Sequence, residues 1–600
     1  MDASEKLTLS QNITLMMDAA WEKYADRNIM AHTLPAKPTE WIHVTGADAR
    51  ERVDAVAKGL IAIGVKPGDR VGIMSRTRIE WAYLDFGIWA AGGISVPIYD
   101  TSAEDQVDWI TSDSGIKVLF VEAAEHLALA HSVAKGESPL TDIRCIDHGA
   151  ITDLIKAGAA ITDEELDKRK HLAKQDDLAT IMYTSGTTGR PKGVRLTHFT
   201  YLRHTKGLQE EIPEVLFQEG ASTVLFLTLA HSLARLVQVV LLSSGTAIGY
   251  CPDPTQLVPL LGTYKPTLIL GVPRVFEKVY NGAEQKAAAG GKTKIFRWAA
   301  AQAIAYSKSL DTAEGPSRGL LFKYRIANKL VLHKILAALG GRATWAVSGS
   351  APLGERLGHF YRGVGLTVLE GYGLTETNAA SHVNRPKKVK MGTVGPPLPG
   401  IEIKIAVDGE ILMRGDELFD GYHHNPEETA EAIQDGWFHT GDIGTMDEDM
   451  YLTITGRKKE LIVTAGGKNV APAHLEDRVR SHPLVSQCVA VGDSRPFIGA
   501  FITLDADALP GWLAAHGLPK MTTREAAENA AVRAELDAAV EAANESVSRA
   551  EGIRKYRILD GDFTVLNGYL TPSMKVKRSK VLADFAGEIE KLYTDERAGD

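Results

Sequence analysis

Cysteine is scarce in this sequence. Cys145, Cys251 and Cys488 are the only three in 600 residues, and no two stand in a CxxC spacing. That excludes a disulfide framework and a cysteine-rich zinc site, and it suits a reduced, cytoplasmic setting. Long apolar runs are missing too. A bilayer span needs roughly 18 apolar residues, and the best candidate, 236–242, is short and contains Gln238. The opening MDASEKLTLSQNITLMMDAAWEKYADR places acids and a lysine early, with no apolar stretch of signal-peptide length behind them. A membrane-spanning chain is excluded; contact with a membrane surface stays open. Positive charge is not in excess either. Lys plus Arg number 67 against 76 Asp plus Glu, a formal net charge of −9, so there is no general footprint for nucleic acid. There is no internal repeat and no long low-complexity tract.

What is present is ordinary globular material, 44% hydrophobic and 24% charged. The length corresponds to about four domain equivalents. Over the first 450 residues short β-rich runs alternate with amphipathic stretches. VGIMS (71–75), 94–99, 117–122, 179–184, STVLFLTL (222–229) and TLILGV (267–272) read as buried strands, and 79–91 reads as a helix. Such alternation predicts parallel sheets covered by helices. Near residue 390 the texture shifts to short strands between Gly-rich turns, which predicts a small antiparallel or barrel-like unit. Beyond Gly456, ELIVTAGGKNVAP reads as a hairpin, 474–482 as a helix, and SQCVAVGD and FIGAFITLD as two strands. The Ala-rich pieces at 283–305 and 524–550 read as plain helices.

The strongest chemical signal is Tyr183-Thr-Ser-Gly-Thr-Thr-Gly-Arg-Pro-Lys192-Gly193, between two strand-like runs. Thr184, Ser185, Thr187 and Thr188 supply hydroxyls, Gly186 and Gly189 let backbone N–H groups come close, and Lys192 adds a point charge. That combination cradles phosphate. It is not the GxxxxGK[ST] loop of the common nucleotide triphosphatases. The decoy at Gly290-Gly-Lys-Thr293 lacks that motif's leading glycine, where Lys286 stands, and reads as a loop.

Further motifs follow in order: Gly349-Ser350-Ala351-Pro352, Glu370-Gly371-Tyr372-Gly373-Leu-Thr375-Glu376, Trp437-Phe-His-Thr-Gly-Asp442, Gly456-Arg457-Lys-Lys459-Glu, Gly466-Gly467-Lys468-Asn469 and Pro572-Ser-Met-Lys575-Val-Lys577-Arg578. Each has its own physics. Tyr372 offers a flat face for a base. Glu376 suits Mg²⁺, which takes one or two carboxylates plus substrate phosphates. Asp442 can accept from both hydroxyls of a ribose. Taken singly, Tyr372 reads as readily as a packed aromatic, Glu376 as a solvated charge, Asp442 as a turn residue and Lys575 as part of a basic run.

Together, over nearly 400 residues, the set resembles the acyl-adenylate-forming superfamily, and Leu227-Thr-Leu-Ala-His231-Ser-Leu-Ala-Arg235-Leu-Val-Gln238 resembles the acyl-pocket motif of its long-chain fatty acyl-CoA synthetases. The resemblance implies an α/β fold: a large N-terminal domain (1–456) of two parallel-sheet lobes plus a small β-barrel, a hinge at 457–459 centred on Lys459, and a smaller mobile α+β C-terminal domain (460–600). It implies a ligase that joins a fatty acid to coenzyme A with ATP and Mg²⁺. By the same resemblance Lys575, Glu376, His231 and Lys192 are catalytic, and Lys575 is preferred to Lys577 because Val-x-Arg follows it. Thr184 to Gly189, Ser350, Ala351, Glu370 to Gly373, Thr375, Asp442 and Arg457 bind ATP. Glu376 and Thr184 hold the metal. Gly466, Gly467 and Lys468 form the coenzyme A channel. His231 would lie beside the fatty carboxylate. Leu233, Leu236, Val237, Val240 and Leu241 either line an apolar tunnel or pack the core. A carrier-protein thiol as acceptor remains the alternative, since the adenylation motifs would be the same. An amino-acid substrate would call for an acid in the pocket, and none is evident; a serine hydrolase would call for GxSxG, which is absent.

Overall fold

The computed structural model describes residues 9–136, 138–184, 190–571 and 574–594. The first sheet has six strands in the spatial order 142–145, 118–121, 70–74, 94–98, 178–184, 192–197. Its neighbours run parallel until the last pair, Leu178–Thr184 with Lys192–Thr197, which is antiparallel. The inner strands are nearly continuous apolar runs because helices cover both faces. A second sheet orders 37–45, 28–34, 247–250, 222–225, and a third orders 268–271, 345–348, 367–372, 382–383. Backbone N–H of Thr267 donates to Ser222 O at 3.0 Å, joining these two sheets at their edges. The expected parallel lobes are therefore mixed sheets, each with an antiparallel edge strand. The run 222–229 stays extended only to Leu225; the chain then turns, and Thr77 Oγ1 donates to Leu227 O at 2.6 Å.

The small unit after residue 390 is a five-stranded sheet, 402–405, 410–414, 437–446, 433–434 and 452–457, with antiparallel pairs. No pairing among the described residues closes it, so the expected barrel is an open sheet. Gly-rich turns specify hairpins but not closure, which needs a matching tilt and stagger around the whole circuit.

Beyond this come a short hairpin (462–463 with 469–470), the helix Pro472–Arg480 and a three-stranded sheet, 485–491, 498–504, 553–558. Along Val485–Val491 alternate side chains enter different apolar clusters. Cys488 and Ala490 pack one way, Val489 and Val491 the other. The apolar cores divide along the chain: every cluster is built either from residues up to Leu452 or from Ile462 onward. Cys145, Cys251 and Cys488 are free thiols, all buried, each in a different cluster.

A buried ion pair fixes the helix Ser232–Ser243 against the first sheet. Arg235 donates to Asp85 Oδ2 from Nε at 2.9 Å and to Oδ1 from Nη2 at 2.6 Å, with both side chains fully buried. Ser95 donates to the same carboxylate at 2.6 Å, and the guanidinium lies 4.8 Å from the Trp89 ring centre. Removing one partner of such a pair costs about 3–5 kcal/mol because the other charge is left bare. Leu236, Val240 and Leu241 of this helix are core residues; Leu233 and Val237 are half-buried.

Candidate active site

The phosphate-loop motif joins two antiparallel strands. Ser185, Gly186, Thr187, Thr188 and Gly189 lie outside the described residues, but both ends of the loop are held. Tyr183 donates its hydroxyl to Asp113 Oδ2 at 2.5 Å, and burial with that carboxylate raises the phenol's pKa. Trp109 Nε1 donates to Pro191 O at 2.8 Å while the Arg190 guanidinium lies 4.7 Å from its ring centre. Thr184 pairs in register with Lys192. Lys192 Nζ forms an ion pair with Glu428 and lies 5.3 Å from the Tyr422 ring centre.

Tyr422 ties this corner to the metal candidate. Its hydroxyl donates to Glu376 Oε1 at 2.8 Å, and a backbone bridge pairs it with Val194. Neither Tyr422 nor Glu428 was found by sequence reasoning. Their only signal is an aromatic and an acid within DGYHHNPEE, a stretch with no recognisable motif. Glu376 sits in the 3₁₀ turn Thr375–Thr377, just after the strand Thr367–Tyr372. Gly373 is required there: a Cβ would fall 2.0 Å from Ala379 O. Among the described residues no cluster of three or more His, Cys, Asp or Glu could hold a metal by itself. A single carboxylate with its Oε2 undonated among those residues fits a cation that takes the rest of its oxygens from phosphate.

Tyr372 donates to Asp442 Oδ2 at 2.7 Å, and Arg457 Nε meets Asp442 Oδ1 at 3.0 Å across adjacent strands. Asp442 is only 4% exposed, so the carboxylate is held by two donors in a dry setting. Burial, reinforced by Asp442, drives the Tyr372 phenol up. Glu370 turns elsewhere. Its Oε2 accepts from the backbone N–H of Leu353 at 2.9 Å, which secures the turn carrying Ser350 and Ala351, and burial raises its carboxyl to about 7. Ser350 itself holds φ at +71°, a left-handed conformation uncommon outside glycine.

Lys575 reaches this cluster from the C-terminal part. It is flanked by Arg457, Asp442, Glu460 and Glu376; desolvation, then Arg457, pushes its pKa down while the three acids pull it up. It also bears on His231, which burial lowers to about 4. His231 caps the helix Ser232–Ser243, its Nδ1 accepting from Leu233 N–H at 3.3 Å, and is therefore neutral near pH 7. Leu233 packs beside Gly349. Lys577, by contrast, starts the last turn before the helix Arg578–Asp584, and its N–H donates to Tyr569 O. Arg578 fastens the segment down, with Glu476 as ion partner and Ala490 O as acceptor at 2.8 Å.

Lys459 lies exposed in the turn Lys458–Glu460, beside Lys458, which is paired to Asp408 and Glu410. Gly466, Gly467 and Lys468 form an exposed turn that bonds within its own part: Gly467 N–H to Thr464 O at 2.8 Å, Lys468 to Glu551 at 3.2 Å. Thus Lys192, Glu376, Asp442, Arg457, His231 and Lys575 form neighbouring groups, while the 466–468 turn bonds elsewhere.

Residues 17–423 match the AMP-binding enzyme family, and residues 459–597 match the AMP-binding enzyme C-terminal domain. The chain belongs to the AMP-binding enzymes. Among relatives in that family, long-chain-fatty-acid–CoA ligase FadD15 of Mycobacterium bovis is 49% identical over 560 residues, 93% of each chain. Long-chain-fatty-acid–CoA ligase ACSBG2 of Xenopus laevis is 30% identical over 608 residues, covering 93% of this chain and 80% of that one. The fold matches the anthranilate CoA ligase AuaEII in complex with anthranoyl-AMP, with a TM-score of 0.73 at 20% identity over 98% of this chain and 100% of that one.

Proposed function

We propose that this AMP-binding enzyme is a long-chain fatty acid–CoA ligase. The observation that carries the reading is the meeting of Tyr372, Asp442 and Arg457, from three separate motifs, in one hydrogen-bonded and ion-paired group, with Lys575 of the C-terminal part within electrostatic reach of it. The fatty-acid preference is supported by the 49% identical relative and its printed activity.

In the first half-reaction a carboxylate oxygen of the acid attacks the α-phosphorus of ATP. The new O–P bond forms as the bond to pyrophosphate breaks. Both reactants are anions, so the site must supply positive charge where negative charge grows. Lys575 stands on the α-phosphate side and Lys192 on the β,γ side, where it must exchange Glu428 for phosphate. Asp442 takes the ribose hydroxyls, steadied by Tyr372 and Arg457. Ser350 and Ala351 border the base. Mg²⁺, held by Glu376 and the Thr184 hydroxyl, would screen the phosphates when bound. Electrostatic donors of this kind are worth about 3–4 kcal/mol each. Neutral His231 and Leu233 border the acid, with no positive charge on the imidazole to trap it as an ion pair.

In the second half-reaction the thiol of coenzyme A loses its proton, its sulfur attacks the acyl carbonyl, and AMP leaves. Lys575 faces the nucleotide site while the 466–468 turn bonds away from it, so the two must change places. The division of the apolar cores on either side of 453–461 supports rotation of residues 460–600 about Lys459. Arg274 Nη2 with Asp505 at 2.9 Å is a contact that such a rotation would break.

No helix among the described residues is long and apolar enough to cross a membrane. Dependence on ATP and coenzyme A suits a cytoplasmic enzyme, and a long-chain acid that resides in lipid calls for a peripheral membrane contact. The deciding experiment is ATP–pyrophosphate exchange over a panel of acids, repeated with coenzyme A or a carrier-protein thiol. Best exchange with acids of about twelve carbons or more is expected, since each buried methylene adds up to about 0.8 kcal/mol. Acetate or an amino acid as best substrate would overturn the reading, and thioester formation only on a carrier protein would move it to a fatty acyl-AMP ligase.

A further inference from the structure

The chain is acidic overall, yet the helical stretch 318–338 combines five cations with no acid. Residues 318–338 contain Arg318, Lys323, Arg325, Lys329 and Lys334 and neither Asp nor Glu. They form the helix Arg318–Ala327, one wide turn at Asn328–Leu332 and the helix His333–Ala338. All five cations are exposed, and none forms an ion pair among the described residues. Nearby, Arg297 pairs with Glu284, Lys308 with Glu355 and Arg362 with Asp311, while Lys292 and Lys294 at the start of the adjoining helix are exposed and form no ion pair among the described residues.

Between these cations runs an apolar row. Phe322, Ile326 and Leu330 recur every fourth residue and are 67%, 38% and 49% exposed. Arg318 and Lys334 continue the same four-residue spacing at its two ends. The opposite side of the stretch is true core, with Ala327, Leu332 and Ile335 buried. The preceding helix, Thr293–Ser309, is stacked alongside through Tyr306 and Tyr324, whose ring centres are 3.9 Å apart, and it exposes Ile295 and Trp298. Apolar side chains concentrated on one outer face mark a surface built for contact.

We propose that this helical hairpin docks the enzyme on an anionic lipid bilayer. An apolar row seated at the level of the acyl chains, flanked by long cationic side chains that reach the phosphates, is the chemistry of an interfacial helix. Unpaired cations beside exposed Phe, Ile and Leu fit anionic lipid on both counts; an acidic protein would use the charge alone, and a second copy docked through the same face would set these cations against their like. The purpose of the docking rests on the fatty-acid reading, because the substrate would then be drawn from the bilayer.

The full chain is sedimented with phosphatidylcholine–phosphatidylglycerol vesicles and with pure phosphatidylcholine vesicles. Binding to the anionic vesicles, weakened by salt, is expected. Lys323→Gln with Arg325→Gln and Lys329→Gln should lower the partition coefficient about a hundredfold. Phe322→Ser with Ile326→Ser and Leu330→Ser should lower it by at least about tenfold. Both triple variants should form acyl-adenylate from a dispersed acid at the parental rate. Wild-type indifference to anionic vesicles, or variants that bind as the parent does, would overturn the proposal. So would an apolar variant that dissociates a dimer without altering vesicle binding, which would make this face an interface between copies. Vesicle binding through this face by an enzyme that adenylates no long-chain acid would instead uphold the docking and overturn the substrate reading.

Discussion

Tyr372 and Asp442, seventy positions apart, share a hydrogen bond of 2.7 Å, so the aromatic of one motif positions the carboxylate of another. Tyr372→Phe keeps the ring and removes this donor, leaving Arg457 to hold Asp442 alone. Loss of one hydrogen bond to a charged group costs about 1.5–3 kcal/mol. In the proposed site Asp442 takes the ribose, which does not react, so the cost should appear as a rise in the ATP KM of about tenfold or more, with kcat little changed. Pyrophosphate-exchange kinetics check it; a fall in kcat at constant KM would assign Tyr372 to the reacting centre.

The proposed alternation of Lys575 and the 466–468 turn predicts that the half-reactions separate. Lys575→Ala should slow acyl-adenylate formation about 10²–10³-fold, yet still convert supplied acyl-adenylate to the thioester. The converse variant is Gly466→Leu rather than Gly467→Leu. Gly467 has φ of +75°, where any side chain is strained, whereas Gly466 has ordinary backbone geometry and open space around a Cβ. Rates of each half-reaction decide the matter. Equal slowing of both steps by Lys575→Ala would remove the main support for rotation.

Met574 occupies a left-handed conformation, φ +64°, immediately before Lys575, and is 56% exposed. A non-glycine residue pays about 1–2 kcal/mol for that geometry. Glycine, which has no Cβ, would avoid the strain. Met574→Gly should therefore raise stability by up to about 1 kcal/mol after the entropy of glycine is set against the strain, while Met574→Ala should not. Urea midpoints of the three proteins test this, and a lower midpoint for Met574→Gly would show that the methionine packs more than its exposure implies.

His198, His204 and His382 are buried, and desolvation lowers them to about 4, 4 and 3. Unfolded, each titrates near 6.5. Below about pH 6.5 the unfolded chain takes up protons that the folded protein refuses, so their contribution is fully present above that pH and is lost as pH falls toward 4. Near pH 5 the three together give a slope of about 4 kcal/mol per pH unit. Urea midpoints across this range should fall steeply, and His198→Gln should flatten the curve. An unchanged slope would mean that His198 titrates alike in both states.

Much of this was readable in the linear order because it is locally encoded. Strands such as 94–98 and 178–184 are buried on both faces, so they stand out as apolar runs, the first following Gly92-Gly93 and the second leading into a Gly-containing loop. Asp442 and Arg457 could be named because each sits in a motif of fixed composition. What escaped depends on long-range pairing. Arg235 reads as an oddity in an apolar helix until Asp85, 150 positions away, is beside it. Tyr422 meets Glu376 across 46 residues with no pattern to announce it. The open sheet was expected as a barrel because turns are local and closure is not: Glu410 finds Ile443 only through the folded circuit.

The three thiols give the protein a built-in set of opening gauges. Cys145, Cys251 and Cys488 belong to separate apolar cores, one in the first-sheet region, one under the third sheet and one in the C-terminal part. Burial lifts Cys251 to about 12 and Cys488 well above its usual value, so neither offers thiolate to a reagent in the closed protein. An alkylating agent then modifies each sulfur only when its own compartment breathes. Mapping the labelled cysteine against time ranks three regional opening rates in the unmodified enzyme, without adding a probe, and shows whether the C-terminal part loosens before the rest.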